Sequence, residues 1–318
     1  MCHERMRPLR IIVLLGAFFA LTIAVCLAQF RRGDGRWWGG NNSGPWIQTE
    51  GREWINEDTV RTARETARHS VGFDNWTNAP GFEKDVFTFT RAIFKSAPGR
   101  PPWFGWVNDY PDSDLNLSYR LQQLTSMKVD PDGRVLKLTS PDLFSYPMIH
   151  MAKPGWMELT EDEVLALRKY LKAGGAIMAD DFWGSDEWAN FEYQISRILP
   201  GHAWIELPME HPIFHCVFDL KGPKNKLQVP YFRAGLSSLN PDSPNYGNSA
   251  QYAGEDYQEM HVRAWLDDHD RIMIIATHNT NNGDGWEREG ENIEYFREYS
   301  ENRAYPLAIN IIFYLMTH

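Results

Sequence analysis

The segment from Thr160 to Ala179 restricts the fold more than any other. Thr160 and Glu163 have capping-box spacing: the hydroxyl accepts from a free amide of the first helical turn, and the carboxylate reaches back to the cap amide. Val164, Leu167 and Leu171 follow at helical spacing, and Gly174-Gly175 ends the helix, because glycine enters the left-handed conformation without a Cβ clash. Ala176-Ile177-Met178-Ala179 is then an unbroken apolar run, too short for a helix and suited to a strand covered on both faces. Such a strand belongs inside a sheet with helices on either side, which selects a layered α/β architecture.

The rest of the chain repeats this alternation. Val86 to Phe94 reads as a first strand, Val135 to Leu138 as a second, and Met148 to Met151 as a third that stops at Lys153-Pro154-Gly155. Leu117, Leu121 and Leu124 recur at helical spacing behind Asp112 or Asp114, and Trp188, Phe191, Ile195 and Ile198 mark a helix from Asp186 to Leu199. Ile272 to Ala276 is a further buried strand, and Ser300 to Met316 a final helix burying Leu307, Ile311 and Leu315. Residues 201–262 are irregular, with two strands and a loop from Asn240 to Glu259. Upstream, Asn56 caps an expected helix from Glu57 to Arg68. The expected architecture is a doubly wound, mostly parallel α/β sheet over 82–318, preceded by a Gly/Trp-rich linker and short helix over 29–81.

At the N-terminus, Arg5, Arg7 and Arg10 precede an apolar run from Ile11 to Ala28. This is the layout of a signal peptide over 1–28 cleaved near Ala28, and predicts a periplasmic or secreted protein. The alternative is an inner-membrane anchor, since about 20 apolar residues span a bilayer. Val25 is too large for the usual lipoprotein pattern before Cys26. The chain carries a formal charge of −10 and has no basic stripe, which excludes nucleic acid as an expected partner and leaves membrane contact to an uncleaved N-terminal segment. Beyond the signal segment Cys216 is the one remaining cysteine, so no intrachain disulfide is expected, and its apolar neighbours Ile213 to Phe218 predict a packed thiol.

In open α/β sheets ligands gather beyond the carboxyl ends of the strands. Asp180-Asp181 follow one buried strand; His278-Asn279 and Gly283-Asp284-Gly285-Trp286-Glu287 follow another; His150 lies in a third. Asp181, His211 and Asp284 are the candidate catalytic residues, an acid–base set of carboxylates and an imidazole. Asp180, Asn279, Trp286, Glu287 and His150 are candidate ligand-binding residues, with Glu206 and His215 nearby in the irregular segment. Each also has a structural reading: Asp after a strand caps turns, Asp284 between glycines serves a turn, and His150 is an interior imidazole. His211 and His215 are four apart, but Pro212 and the missing glutamate exclude the zincin helix pattern, so no metal site is expected. Were a cation held, the oxygen-rich set Asp180, Asp181 and Asp284 would suit a hard one. No G-x-S-x-G elbow, phosphate loop, G-x-G-x-x-G or C-x-x-C is present, which removes the common hydrolase, nucleotide, dinucleotide and thioredoxin motifs and leaves the cofactor unknown. Among thirteen tryptophans, Trp37, Trp38, Trp46, Trp103, Trp106, Trp183 and Trp286 fall in loops or linkers, where they either pack the loops or stack on sugar rings.

Several segments together resemble an uncharacterised bacterial domain family with a class I glutamine-amidotransferase-like, flavodoxin-related fold. They are Leu167-Arg168-Lys169-Tyr170-Leu171 with Gly174-Gly175 and Asp180-Asp181-Phe182; Glu206-Leu207-Pro208 with His211-Pro212-Ile213-Phe214; Asn279 through Glu287; and Met316-Thr317-His318. The resemblance runs from Val86 to His318 and implies a flavodoxin-like three-layer sandwich. More distantly the chain is similar to trehalose-utilisation (ThuA-like) proteins, in which a glycine run leads through a strand to a histidine; Asp181 stands there instead. A class I amidotransferase needs a cysteine at this elbow, so the resemblance does not imply glutaminase activity. The expected function is an exported domain binding a sugar-like small molecule or an envelope protein partner. The alternative is a carbohydrate-related hydrolase or isomerase using the Asp/His set.

Overall fold

Alternating side chains along the central strands divide the interior into two apolar layers. The computed structural model describes residues 44–49, 53–66, 76–81, 85–101 and 104–318. The segment read as a signal peptide, together with Trp37, Trp38 and Trp103, lies outside the described residues. A ribbon of β1 (Trp46–Gln48) and β2 (Trp54–Asn56) comes first. Then follow β3 (Thr90–Ile93), β4 (Lys95–Ser96), α1 (Asp112–Leu124), β5 (Arg134–Lys137), β6 (Met148–Ala152) and β7 (Met157–Glu158). The chain continues through α2 (Glu161–Lys172), β8 (Ala176–Phe182), α3 (Gly184–Ile198), β9 (Trp204–Glu206) and α4 (Phe232–Leu239). It ends with β10 (His261–Leu266), β11 (Ile272–His278), α5 (Asn282–Glu287), a π-helical stretch Phe296–Ala304 and α6 (Tyr305–Thr317).

Seven strands form one sheet in the order β5-β3-β6-β8-β11-β10-β9. The first five are parallel, and β10 and β9 add antiparallel at one edge. Ile149, Met151, Ile177 and Ala179 face a layer containing Val164, Leu167 and Leu171 of α2 and Phe191, Ile195 and Ile198 of α3. Met148, Ala176 and Met178 face the other layer, with Leu117 and Leu121 of α1 and Leu307 and Ile311 of α6. This is the expected doubly wound α/β sandwich. Because β3 leads to β5 on one side and the chain then crosses back to β6 on the other, the winding reverses between β3 and β6. A crevice for ligands opens at the carboxyl side of such a switch.

The capping box forms as expected: Thr160 Oγ1 accepts from the Glu163 amide at 3.3 Å, and Glu163 Oε2 accepts from the Thr160 amide at 2.8 Å. At Gly175 an added Cβ would lie 2.3 Å from the Tyr170 ring, so this glycine permits a close approach that no side chain would. Three local expectations change. The helix over 57–68 is absent from its described part: Asn56 Oδ1 accepts from the Asp58 amide at 2.9 Å in a turn, and only a 3₁₀ segment, Ala63–Thr66, follows. The Glu57 amide donates to the Pro45 carbonyl at 2.7 Å and the Arg61 carbonyl accepts from the Val135 amide at 2.8 Å, tertiary bonds that override the helical propensity here. The first strand is shorter than its apolar run, with Phe87 making only an isolated bridge to Val129. Cys216 is exposed, not packed inside: Ile213 and Phe214 turn inward and Phe218 packs partly against the core, while the turn between them faces outward.

Candidate functional site

Strands β6, β8 and β11 deliver their carboxyl ends to one rim, and the backbone there is unusual. Lys153 after β6, Asp181 near the end of β8 and Asn279 after β11 have φ of 53°, 59° and 59°. Asp109, in the loop before α1, has φ 58°. Among the described residues a single other non-glycine residue, Asp270, shares this left-handed conformation. Asp and Asn tolerate it through local hydrogen bonds, whereas lysine gains no such relief.

The adjacent aspartates serve different networks. Asp180 accepts from Thr277 Oγ1 at 2.6 Å, Asn282 Nδ2 at 2.7 Å and the Gly283 amide at 3.0 Å. It thereby ties the start of α5 to β8. Burial pushes its carboxyl up to about 7 against these bonds, and neighbouring Asp181 adds to the rise. Asp181 instead accepts from Asn108 Nδ2 at 2.7 Å and Trp183 Nε1 at 3.1 Å, and pairs with Lys153 Nζ at 3.2 Å. Burial works against the Lys153 ammonium, but Asp181, followed by Tyr252, Asp109 and Glu187, holds it above the ordinary lysine range.

Glu187 completes this cluster. Its Oε2 accepts from the Trp183 amide and its Oε1 from Trp156 Nε1, both at 3.0 Å, and burial pushes its carboxyl up to about 7. Above the cluster Tyr252, from the loop Asn240 to Glu259, stands edge-on to Trp183 with ring centroids 5.9 Å apart. Tyr252 is raised by burial and feels the charges of Lys153 and Asp181. The loop carrying Asn108 and Asp109 is fixed from below by Arg91, fully buried on β3. Arg91 Nε donates to both Asp114 oxygens at 2.9 Å, and its Nη1 donates to the Trp106 and Asn108 carbonyls at 2.8 and 2.9 Å. A buried guanidinium satisfied at every side makes this loop a fixed part of the rim.

The remaining residues singled out in the sequence take separate places. Asn279 is structural: its Oδ1 accepts from the Gly184 amide at 2.8 Å, and its Nδ2 donates to the Asp256 and Glu259 carbonyls at 3.0 and 2.8 Å. Asp284 lies in the first turn of α5, where Oδ2 accepts from the Phe232 amide at 2.7 Å. Carboxylate oxygens of Asp109, Asp284 and Glu287 all lie within 4.8 Å of one another, with Arg288 Nε 2.7 Å from Glu287. This acidic group differs from the Asp180, Asp181 and Asp284 set expected for a hard cation. His150, on β6, is held neutral by burial and by Arg91, its ring 5.7 Å from that of Trp286. Neither His150 nitrogen nor Trp286 Nε1 has a hydrogen-bond partner among the described residues.

His211 does not join them. Its Nδ1 accepts from the Ile213 amide at 3.2 Å and its ring packs on Tyr314 at 5.2 Å. Tyr314 lies nine residues beyond Tyr305, and Tyr305 Oη donates to Glu289 just past α5 at 2.6 Å; that is about 13 Å along the helix at 1.5 Å per residue. Glu206 pairs at the sheet edge with Lys224, His261 and Arg263; although burial opposes it, the bonds from His261, Lys224 and the Val262 amide bring its carboxyl down to about 2. His215 bonds Asp219 on the surface. Trp106 and Trp183 are buried in loops, Trp286 is buried inside α5 and not in a loop as expected, and Trp46 is exposed. A cleft of about 210 Å³ lies elsewhere, between Glu57–Arg61 and the ends of β3 and β5, lined by charges that pair with one another, such as Arg134 with Asp142 at 2.7 Å.

Lys153, Asn108, Asp109 and Glu187 escaped the sequence reading. Lys153-Pro154 reads as a strand stop, and Glu187 as the polar side of a helix. Only the faint signal of three charged or amide residues next to strand or loop ends was available.

A family model described as Domain of unknown function (DUF4159) matches residues 104–316. The chain belongs to this family. No curated protein matches it. The DUF4159 match takes in Asn108, Asp109, Lys153, Asp181, Glu187 and Tyr252, so the whole rim belongs to the shared domain; Arg91 and the β1–β2 ribbon lie before it.

Proposed function

We propose that this is an exported, ligand-binding α/β domain without glutaminase activity. Its ligand is a sugar-like small molecule or a segment of an envelope protein, received at the rim of β6, β8 and β11 when the loop Asn240 to Glu259 moves aside. One observation supports the reading: Lys153 and Asp181, both in the left-handed conformation, form a buried ion pair whose ammonium also faces the left-handed Asp109. Strained backbone and a desolvated ion pair each cost stability and concentrate where a site must be held in advance. Glutaminase chemistry needs a thiol at the β8–α3 elbow, where this chain has Asp181-Phe182-Trp183, and Cys216 is bonded to Asn310 on the far helix. The Arg5, Arg7 and Arg10 cluster before the apolar run supports export, and N-terminal sequencing of the mature protein tests it. A relation to the ThuA-like branch is part of the same proposal.

The test is a thermal-shift screen of the full chain against neutral sugars and short peptides, followed by Tyr252→Ala and Lys153→Met. A ligand at a hundred times its Kd adds about 2.7 kcal/mol. The proposal expects such a shift in the native chain and its loss in Lys153→Met. Amide exchange showing 240–259 as protected as β8, with no shift by any probe, would count decisively against it.

The second reading is a carbohydrate-related hydrolase or isomerase, favoured by two carboxyls, Asp180 and Glu187, raised to about 7 beside Asp181. It requires turnover that disappears in both Asp181→Asn and Glu187→Gln while ligand binding persists.

A further inference from the structure

The ribbon of β1 and β2 presents a face that the rim does not use. In its register Trp46 pairs with Asn56, Ile47 with Ile55 and Gln48 with Trp54. Side chains alternate across strands, so Ile47 and Ile55 share one face, and Trp46, Gln48, Trp54 and Asn56 share the other. The first face anchors the ribbon: Ile55 is 2% exposed in a core with Val60, Ile93 and Trp106, and Ile47 packs against it. The Glu57 amide donates to the Pro45 carbonyl at 2.7 Å, and Glu57 Oε1 accepts from Trp106 Nε1 at 2.7 Å, which fixes the ribbon to the domain. On the second face Trp46 is 52% exposed and Trp54 57%. These two are diagonal neighbours, roughly 7–8 Å apart between Cα atoms.

We infer that Trp46, Gln48, Trp54 and Asn56 form a binding platform for a neutral glycan chain. An indole face stacks on the C–H face of a pyranose ring while its N–H remains a donor. Asn56 adds a primary amide whose Nδ2 can donate to a hydroxyl group, its Oδ1 already accepting from the Asp58 amide. None of the four side chains carries charge. An anionic bilayer or a nucleic acid would select lysine and arginine on such a face. Two indoles on a rigid ribbon lose little conformational freedom on binding, since the ribbon's other side is already buried. The platform is independent of the rim and of the reading given for it.

Affinity electrophoresis of the full chain tests this, in a polyoxyethylene detergent that carries no sugar, through gels containing hydroxyethylcellulose or soluble glycol chitin. Trp46→Ala and Trp54→Ala each weaken retention about tenfold, and the double variant about a hundredfold, because the rings contact different sugar units. Trp54→Tyr keeps most of the retention, since a phenol also stacks. The melting temperature of the double variant stays close to that of the native chain, and Tyr193→Ala, an exposed aromatic on α3, leaves retention unchanged. Unchanged retention in the double variant overturns the assignment, as does a native chain that neither gel retards. Binding to phosphatidylcholine vesicles that depends on both tryptophans also overturns it, and makes the face a membrane contact instead.

Discussion

Replacing Lys153 by methionine tests whether the rim is built around one shared cation. Lys153 Nζ lies 3.2 Å from Asp181 Oδ2, with side-chain exposures of 9% and 1%. At an effective dielectric of about 20 the attraction is about 5 kcal/mol. Desolvating both ions consumes much of that, so the intact pair adds little net stability. Removing the cation alone is different. It leaves Asp181 buried with only Asn108 and Trp183 as donors, and withdraws the positive charge that also faces Asp109 and Glu187. Breaking a buried pair in this way costs about 3–5 kcal/mol. For a domain of this size that lowers Tm by roughly 6–20 °C. Asp181→Asn is expected to cost less, about 2 kcal/mol, because Glu187 and Asp109 still face the ammonium. The double variant then recovers about 1–2 kcal/mol relative to Lys153→Met alone. Urea denaturation of the four proteins measures the cycle. If Lys153→Met costs under about 1 kcal/mol, or the two effects simply add, the shared-cation argument is wrong.

Three further outcomes follow from the same geometry. Asp180 and Glu187 have folded values of about 7, above their ordinary carboxylate range, so the stability they contribute is complete below about pH 4 and lost as pH rises through 7; carbon-detected carboxyl titration should find both midpoints near neutrality. His278 runs the other way: burial lowers it to about 3, so its contribution is present above about pH 6.5 and lost as pH falls toward 3. In His278→Phe the acid limb of stability flattens by up to about 1.4 kcal/mol per pH unit, and an unaltered limb would contradict this. Gly283→Ala places a Cβ 2.1 Å from Asp109 Oδ2 and is expected to cost about 1–3 kcal/mol in chemical denaturation, whereas a neutral result would show that the Asp109 loop is free to move.

The legible parts of the fold were those whose information is local. Thr160 and Glu163 state a helix start within four residues, and the apolar run from Ala176 states a strand buried on both faces. From these and their repeats the parallel sheet followed, and with it the placing of Asp180, Asp181 and Asp284 near strand ends. Tertiary packing decided what those residues do. Neighbouring Asp180 and Asp181 read alike along the chain, but β8 carries an extra residue here relative to β11 and Asp181 takes φ 59°, so one secures α5 and the other turns to Lys153. His211, in a motif as distinctive as any in the sequence, was carried to the far end of α6. Asn108 and Asp109 reach the rim only because Arg91, fifteen residues or more upstream, holds their loop by its carbonyls. The sequence alone determined burial and secondary structure where periodicity and short-range capping are strong, as in Thr160 to Ala179, and not at 57–68, where tertiary bonds prevailed. Which polar groups meet at the rim was settled by the three-dimensional arrangement, because ion pairing and desolvation act between residues that the chain itself keeps far apart.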